Sequence, residues 1–288
     1  MTTASKDLVG NTVRDFYEGM PFNYYSSAAA AAARLRVNPL PSACPDLHEL
    51  LSSGQVRSVL DFGCGAGWLV NTVARHYGIT ATGVDFTGKA IARARAVSRR
   101  LRTSDLAAFV VGDLFAFEGA PADLVTCVGV LHHTRSAREG FERIQRFVAP
   151  GKCIYLGLYH LYGRKPFLDL FRDLVSREGE DAAFRRYAAL DSSRRGDRVH
   201  RRSWFRDQVL HPHESSHTFA EVAAWLAGAG FETERTSINR FEPFDRIETL
   251  LDAERGYEEI SRRANLVEGR YFPGFFTVLA RRTESRPC

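Results

Sequence analysis

Lysine is nearly absent: of the 39 basic residues only Lys6, Lys89, Lys152 and Lys165 are lysine, so arginine carries the net charge of +5. With alanine abundant as well, this skew reads as a coding bias rather than as a surface selected to bind phosphates, and a nucleic-acid partner is not expected. The run Arg93 to Arg102 lacks acids and is the one candidate basic patch; otherwise it is the solvated face of a helix. Cysteines number five, an odd count without paired spacing, which excludes a disulfide framework and points to a reducing cytoplasm. No stretch reaches the eighteen or so apolar residues of a membrane helix. The alanine run from Ala28 to Ala33 follows Asp7, Arg14, Asp15 and Glu18 rather than a basic leader, so a secretory signal is not expected there. A soluble, cytoplasmic chain of 288 residues, 44% hydrophobic, fits one elaborated domain.

What is present begins at Ser58-Val-Leu-Asp-Phe-Gly-Cys-Gly-Ala-Gly67. Val59 to Phe62 has the bulk of a buried strand, and Gly63, Gly65 and Gly67 remove the side chains that would keep a ligand off the backbone. A helix over about Trp68 to Tyr77, stopped by Gly78, points its free N–H groups at the same spot. Dinucleotide-binding domains place Gly-x-Gly-x-x-Gly in this position. Here the glycines alternate strictly, Trp68 stands where the third glycine of that motif belongs, and Asp61 in the turn would repel a pyrophosphate.

Asp61, Gly63, Gly65 and Gly67 together resemble the first motif of the class I S-adenosylmethionine-dependent methyltransferases. A second strand, Ile79 to Asp85, ends in an acid; the resemblance implies that Asp85 accepts both ribose hydroxyls and that Phe86 lies against the adenine. A third, Ala107 to Val111, runs into Gly112-Asp113-Leu114, and the resemblance implies that Asp113 accepts from the adenine amino group. Cys64, through its backbone, with Leu114, Val128 and Gly129 completes the implied cofactor set for S-adenosylmethionine and its product S-adenosylhomocysteine.

Strand four, Asp123 to Val130, ends in Leu131-His132-His133. A capping box, Ser136-x-x-Glu139, starts a helix expected to stop before Pro150-Gly151, and strand five is Cys153 to Leu158. Strands and helices alternating with short links imply a parallel sheet with ligands at its carboxyl ends. Residues 159–215 are dense in arginine and aromatics and too long for a structureless loop, so a helical substrate-side insertion is expected. A second capping box, Thr218-x-x-Glu221, and strands at Phe231 to Ile238 and Phe275 to Ala280 close the sheet, the last one antiparallel by the resemblance. The expected architecture is a Rossmann-like, seven-stranded, mostly parallel α/β sheet: a helical cap over 1–54, a core over 55–158 and 216–288, and the insertion between.

Methyl transfer from a sulfonium is an in-line displacement, which alignment and exclusion of water can accelerate. A base is needed only where the acceptor must lose a proton; His133 and His132, just past strand four, are the candidates. Tyr24, Tyr25, Tyr159, His213 and His217 are the candidate substrate contacts. The segment His211 to His217 has the residue types of a two-His, one-carboxylate metal site, but it directly precedes a capped helix, where polar residues serve as hydrogen-bonders, and no metal is expected. Asn/Asp-Pro-Pro-Tyr is absent after strand four, where amide and nucleobase N-methyltransferases carry it. The resulting expectation is transfer to a small-molecule acceptor at O or N, with C also open, in specialised metabolism, with a homodimer as the candidate assembly. An RNA or protein methyltransferase using the Arg-rich insertion, and a cofactor-binding module without catalysis, are the alternatives.

Overall fold

Seven strands form one sheet in the computed structural model, which describes residues 3–284. They are β1 (Ser58–Phe62), β2 (Thr80–Asp85), β3 (Ala107–Val111), β4 (Ala122–Val128), β5 (Val148–Tyr159), β6 (Phe231–Thr236) and β7 (Phe275–Arg282), in the spatial order β3-β2-β1-β4-β5-β7-β6. The first five are mutually parallel, and β7 runs antiparallel to both β5 and β6. The parallel part is what the alternation of elements implies, and the antiparallel last strand is what the family resemblance implies. After β3 the chain returns across the sheet to lay β4 beside β1, so the strand order reverses there and opens a crevice at the carboxyl ends.

Helices α1 (Thr3–Gly19), α2 (Ala28–Leu35), α3 (Leu40–Ala43) and α4 (Pro45–Ser52) precede the sheet. Within it, α5 (Trp68–Tyr77), α6 (Gly88–Leu101) and α7 (Ala137–Ile144) link β1 to β2, β2 to β3 and β4 to β5. After β5 come α8 (Leu161–Glu178), α9 (Glu180–Leu190) and α10 (Arg198–Leu210), then α11 (Phe219–Gly228), and between β6 and β7 α12 (Ile247–Arg255) and α13 (Tyr257–Arg262). Central strands are buried on both faces: Leu124, Val125 and Cys127 of β4 are inaccessible, as parallel strands covered by helices must be. Phe167, Phe171, Ala183, Tyr187, Leu190 and Phe205 give α8, α9 and α10 a cluster of their own; each fully buried large apolar side chain contributes about 1.5–3 kcal/mol.

Both capping serines and threonines work as the sequence implies, Ser136 Oγ accepting from the Glu139 N–H and Thr218 Oγ1 from the Glu221 N–H. The Glu221 carboxylate, however, turns to His217 Nδ1 at 3.0 Å. The helix after Ser136 stops before Pro150-Gly151 as expected, at Ile144, but β5 begins at Val148 rather than Cys153. Proline and glycine are accommodated as an irregularity: pairing runs from Ala122–Val148 and resumes at Leu124–Cys153, with Gly151 at φ +69°. β4 stops at Val128 rather than Val130 because Gly129 turns the chain at φ +79°. β6 stops at Thr236 rather than Ile238, where the Thr236 hydroxyl caps a short 3-10 turn. α12 and α13 have no counterpart in the sequence reading; they turn few apolar residues inward, Leu250 and Tyr257 among them.

Two arginines of the run Arg93 to Arg102 are engaged by the chain itself rather than free. Arg93 donates to the Tyr25 carbonyl and stacks on the Tyr24 ring, and Arg95 donates to the Phe109 carbonyl. Cys44, Cys64, Cys127 and Cys153 are buried free thiols, and Cys288 lies outside the described residues. Among the described residues no helix is long and apolar enough to cross a membrane.

Candidate active site

The three glycines of the turn after β1 do different work. All have positive φ, +68° at Gly63, +52° at Gly65 and +77° at Gly67, which favours glycine. A Cβ on Gly67 would stand 2.7 Å from both Ala94 Cβ and Phe109, and one on Gly63 would stand 2.2 Å from Val130, so these two let neighbouring elements pack. At Gly65 the nearest atom to a Cβ is the Phe22 carbonyl oxygen, 4.0 Å off. Gly65 thus keeps open space that a ligand can enter.

That space is a cavity of about 260 Å³, of small-ligand scale. Its floor is Gly63, Cys64, Gly65 and Gly129; Asp85 and Phe86 bound it at the end of β2, Asp113 and Leu114 after β3, and Val128 at the end of β4. Asp85 organises this floor. Its Oδ2 accepts the Gly65 N–H at 2.9 Å, and its Oδ1 accepts the N–H and hydroxyl of Thr87 at 2.9 and 2.5 Å. A carboxylate offers about four lone-pair sites, so one remains, on Oδ2, for a ligand hydroxyl; bidentate acceptance of a diol at both oxygens requires Thr87 to yield. Burial raises the carboxyl's pKa and the bonds from Thr87 and Gly65 oppose that rise.

Asp61 does not reach the wall. It pairs across the sheet with Thr126, whose hydroxyl donates to its Oδ1 at 2.7 Å, and burial pushes its pKa up to about 7. Gly67 likewise lies behind the cavity, packed between α6 and β3.

Opposite the floor stands α1, through Gly10, Val13, Arg14 and Tyr17. Reciprocal contacts seat this helix: the Glu18 carboxylate accepts the Gly88 N–H at the start of α6, while Lys89 Nζ donates to the Glu18 and Gly19 carbonyls at the end of α1. Tyr17 donates its hydroxyl to Asp207 of α10 at 2.6 Å. His133 lines the same end, its ring stacked on His211 with centroids 3.6 Å apart. Its Nδ1 lies 3.0 Å from the His213 carbonyl, which can only accept, so Nδ1 carries the proton. Burial holds His133 down at about 3, so the ring is neutral at physiological pH.

His132 is buried beneath, stacked on Tyr159 and accepting the Tyr159 N–H at Nδ1, away from the wall. None of the candidate substrate contacts lines the cavity. Tyr24 lies under Arg93, Tyr25 stacks on His200, and the Tyr159 hydroxyl bonds Asp207. His213 and His217 belong to a strap over the strand ends: the Ser215 N–H donates to the His132 carbonyl, the His217 N–H to the Tyr159 carbonyl, and His213 Nε2 lies 3.0 Å from the Thr134 carbonyl. Backbone demand of the turn after β4 explains this polar cluster, and among the described residues no group of three or more His, Cys, Asp or Glu could hold a metal ion. The residues missed were Arg14, Tyr17 and Arg135 on the wall and Asp207 behind it. Gly10, Val13, Arg14 and Tyr17 follow the i, i+3, i+4, i+7 spacing of one helical face, which is the signal that could have found that side.

Residues 60–153 match the family model of a methyltransferase domain. The chain is 34% identical over 103 residues to the ubiquinone biosynthesis O-methyltransferase of Paracidovorax citrulli, across 35% of this chain and 43% of that protein. It is 26% identical over 155 residues to norajmaline N-methyltransferase of Rauvolfia serpentina, across 53% and 52% of the two. The match thus spans about half the length of these relatives. In fold, the chain is similar to magnesium protoporphyrin IX methyltransferase from Synechocystis PCC 6803 with bound S-adenosylhomocysteine, with a TM-score of 0.52 at 17% identity over 86% of this chain and 85% of that one.

Proposed function

We propose that the chain, a member of the class I S-adenosylmethionine-dependent methyltransferase superfamily, transfers a methyl group from S-adenosylmethionine to an oxygen or nitrogen of a small-molecule acceptor. The observation that carries this reading is one cavity whose floor is the glycine turn and whose sides are Asp85, Phe86 and Asp113 at successive strand ends. Its donor set is right for the ligand: a remaining carboxylate lone pair at Asp85 for a ribose hydroxyl, the Phe86 ring for a base, Asp113 for an exocyclic amine, and bare backbone at Gly65 where a polar chain must approach closely. When bound, S-adenosylmethionine supplies a methyl group made electrophilic by its positive sulfur. The protein's own part is to hold the acceptor in line and keep water out; α1 and the turn bearing His133 close over the floor for that purpose.

The names of the relatives, an O-methyltransferase of ubiquinone biosynthesis and norajmaline N-methyltransferase, favour a small-molecule acceptor over RNA or a protein segment, methylated at O or N. Specialised metabolism and a cytoplasmic setting, in which the four buried thiols stay reduced, complete the proposal. Calorimetry with S-adenosylmethionine, S-adenosylhomocysteine and NAD tests the first step. Binding of NAD with no response to S-adenosylhomocysteine would sink the reading, whereas donor binding followed by transfer of labelled methyl to phenolic or amine acceptors would extend it.

A further inference from the structure

Asp207, buried on α10, touches no part of the cavity floor, yet three donors converge on it. Its Oδ1 accepts the Tyr17 hydroxyl at 2.6 Å; its Oδ2 accepts the Tyr159 hydroxyl at 3.3 Å and Gln208 Nε2 at 3.0 Å. A phenol has one proton, and Tyr17 commits its proton to Asp207. Toward the cavity that Tyr17 lines, its oxygen can therefore only accept. His133 is arranged in the same sense, with its proton on Nδ1 and its buried Nε2 without a partner, 3.9 Å from Asp207 Oδ1. Between that bare nitrogen and the carboxylate there is a place for one more proton.

We propose that Asp207, acting through Tyr17 as a positioning residue, makes the acceptor end of the cavity a proton-accepting surface, so that the acceptor is a group bearing O–H or N–H rather than a bare lone pair such as a thioether or tertiary amine. This rests on the methyl-transfer reading above. The acceptor's oxygen or nitrogen bonds to the methyl carbon as the carbon–sulfur bond breaks and its electron pair returns to sulfur. The acceptor's proton passes to the Tyr17 oxygen while the Tyr17 proton moves to Asp207, which can then donate to His133 Nε2. Tyr17 ends as it began, and the carboxylate–imidazole pair has gained one proton.

The test uses the full chain and two probes of the donor site: S-adenosylhomocysteine, and the donor analogue in which a protonated amine on carbon replaces the sulfonium methyl. Wild type should bind the ammonium analogue at least about tenfold tighter than S-adenosylhomocysteine, about 1.4 kcal/mol. In Asp207→Asn the amide NH2 must face one of the converging donors, and turned to Tyr17 it frees the phenol proton toward the cavity. Asp207→Asn and Tyr17→Phe should each bring the ratio to within about twofold while leaving S-adenosylhomocysteine affinity within about twofold of wild type; a merely structural role for Asp207 would weaken both probes alike. No preference in wild type, or a preference retained in both variants, overturns the proposal and leaves the donor reading standing. If Asp207→Asn does not fold, Tyr17→Phe decides alone. Failure of wild type to bind S-adenosylhomocysteine overturns the donor reading and this proposal with it.

Discussion

Alanine at Gly65 and alanine at Gly67 should fail in different ways. Both positions lie at positive φ, so a Cβ costs each about 1–2 kcal/mol of backbone strain. Gly67 carries a second cost. Its Cβ would meet Ala94 Cβ and Phe109 at 2.7 Å, and overpacking of a filled core adds about 1–3 kcal/mol. At roughly 2 °C per kcal/mol for a domain of this size, Gly67→Ala should lower Tm by about 4–10 °C and Gly65→Ala by about 2–4 °C. Binding should rank the other way. The Gly65 methyl projects into the cavity and should weaken S-adenosylhomocysteine at least about tenfold, whereas Gly67→Ala, once folded, should bind nearly normally. Thermal melts with and without S-adenosylhomocysteine read both effects at once: a ligand at 100 times its Kd adds about 2.7 kcal/mol, a shift that wild type and Gly67→Ala should show in full, whereas Gly65→Ala, weakened at least about tenfold, should gain no more than about 1.4 kcal/mol at the same concentration. Equal losses of Tm, or undiminished affinity in Gly65→Ala, would refute the division of labour.

Asp85→Asn should turn an NH2 toward either Gly65 or Thr87 and lose a charge-assisted bond; a cost of about 1.5–3 kcal/mol predicts a weakening of S-adenosylhomocysteine of at least about tenfold by calorimetry, and an unchanged Kd would remove Asp85 from the ligand site. Asp61 has a pKa near 7 when folded against 3.8 unfolded, so the folded state binds the proton more tightly and, for this group, stability falls as pH rises from about 4 to about 7. Asp61→Asn should remove that part of the slope in melts of the ligand-free protein between pH 5 and pH 8; an unaltered slope would mean an ordinary carboxylate. His133→Ala should leave S-adenosylhomocysteine binding within about threefold and lower turnover by about 10²-fold or more if the acceptor surrenders a proton. Full turnover in that variant would take His133 out of the mechanism.

The donor side of the site was legible in the sequence because it is local. Gly63, Gly65, Asp85, Phe86 and Asp113 sit at strand ends, and strand periodicity with turn chemistry announces strand ends. Finer placement was not legible. Nothing in the spelling of the first motif says that Asp61 faces Thr126 across the sheet, or that Gly67 serves packing while Gly65 serves access; those follow from register and from what α6 brings against the turn. On the acceptor side, aromatic residues in the flanking segments looked equivalent. Tyr24, Tyr25 and Tyr159 are consumed by Arg93, His200 and Asp207, whereas Tyr17, in the last turn of α1, lines the cavity. In the polar run His211 to His217, amides and rings tie down the turn after β4, and neither His213 nor His217 lines the cavity.

The bond between Tyr17 and Asp207 joins residues 190 positions apart. During synthesis α1 emerges early and can be seated on α6 through Glu18 and Lys89, but the Tyr17 hydroxyl has no Asp207 to bond until α10 has been translated. Sequence separation of this kind puts the contact among the last and slowest to form. The glycine turn and the seat of α1 on α6 can both be laid down while the chain is still growing, whereas the Tyr17–Asp207 bond cannot form until α10 has been made.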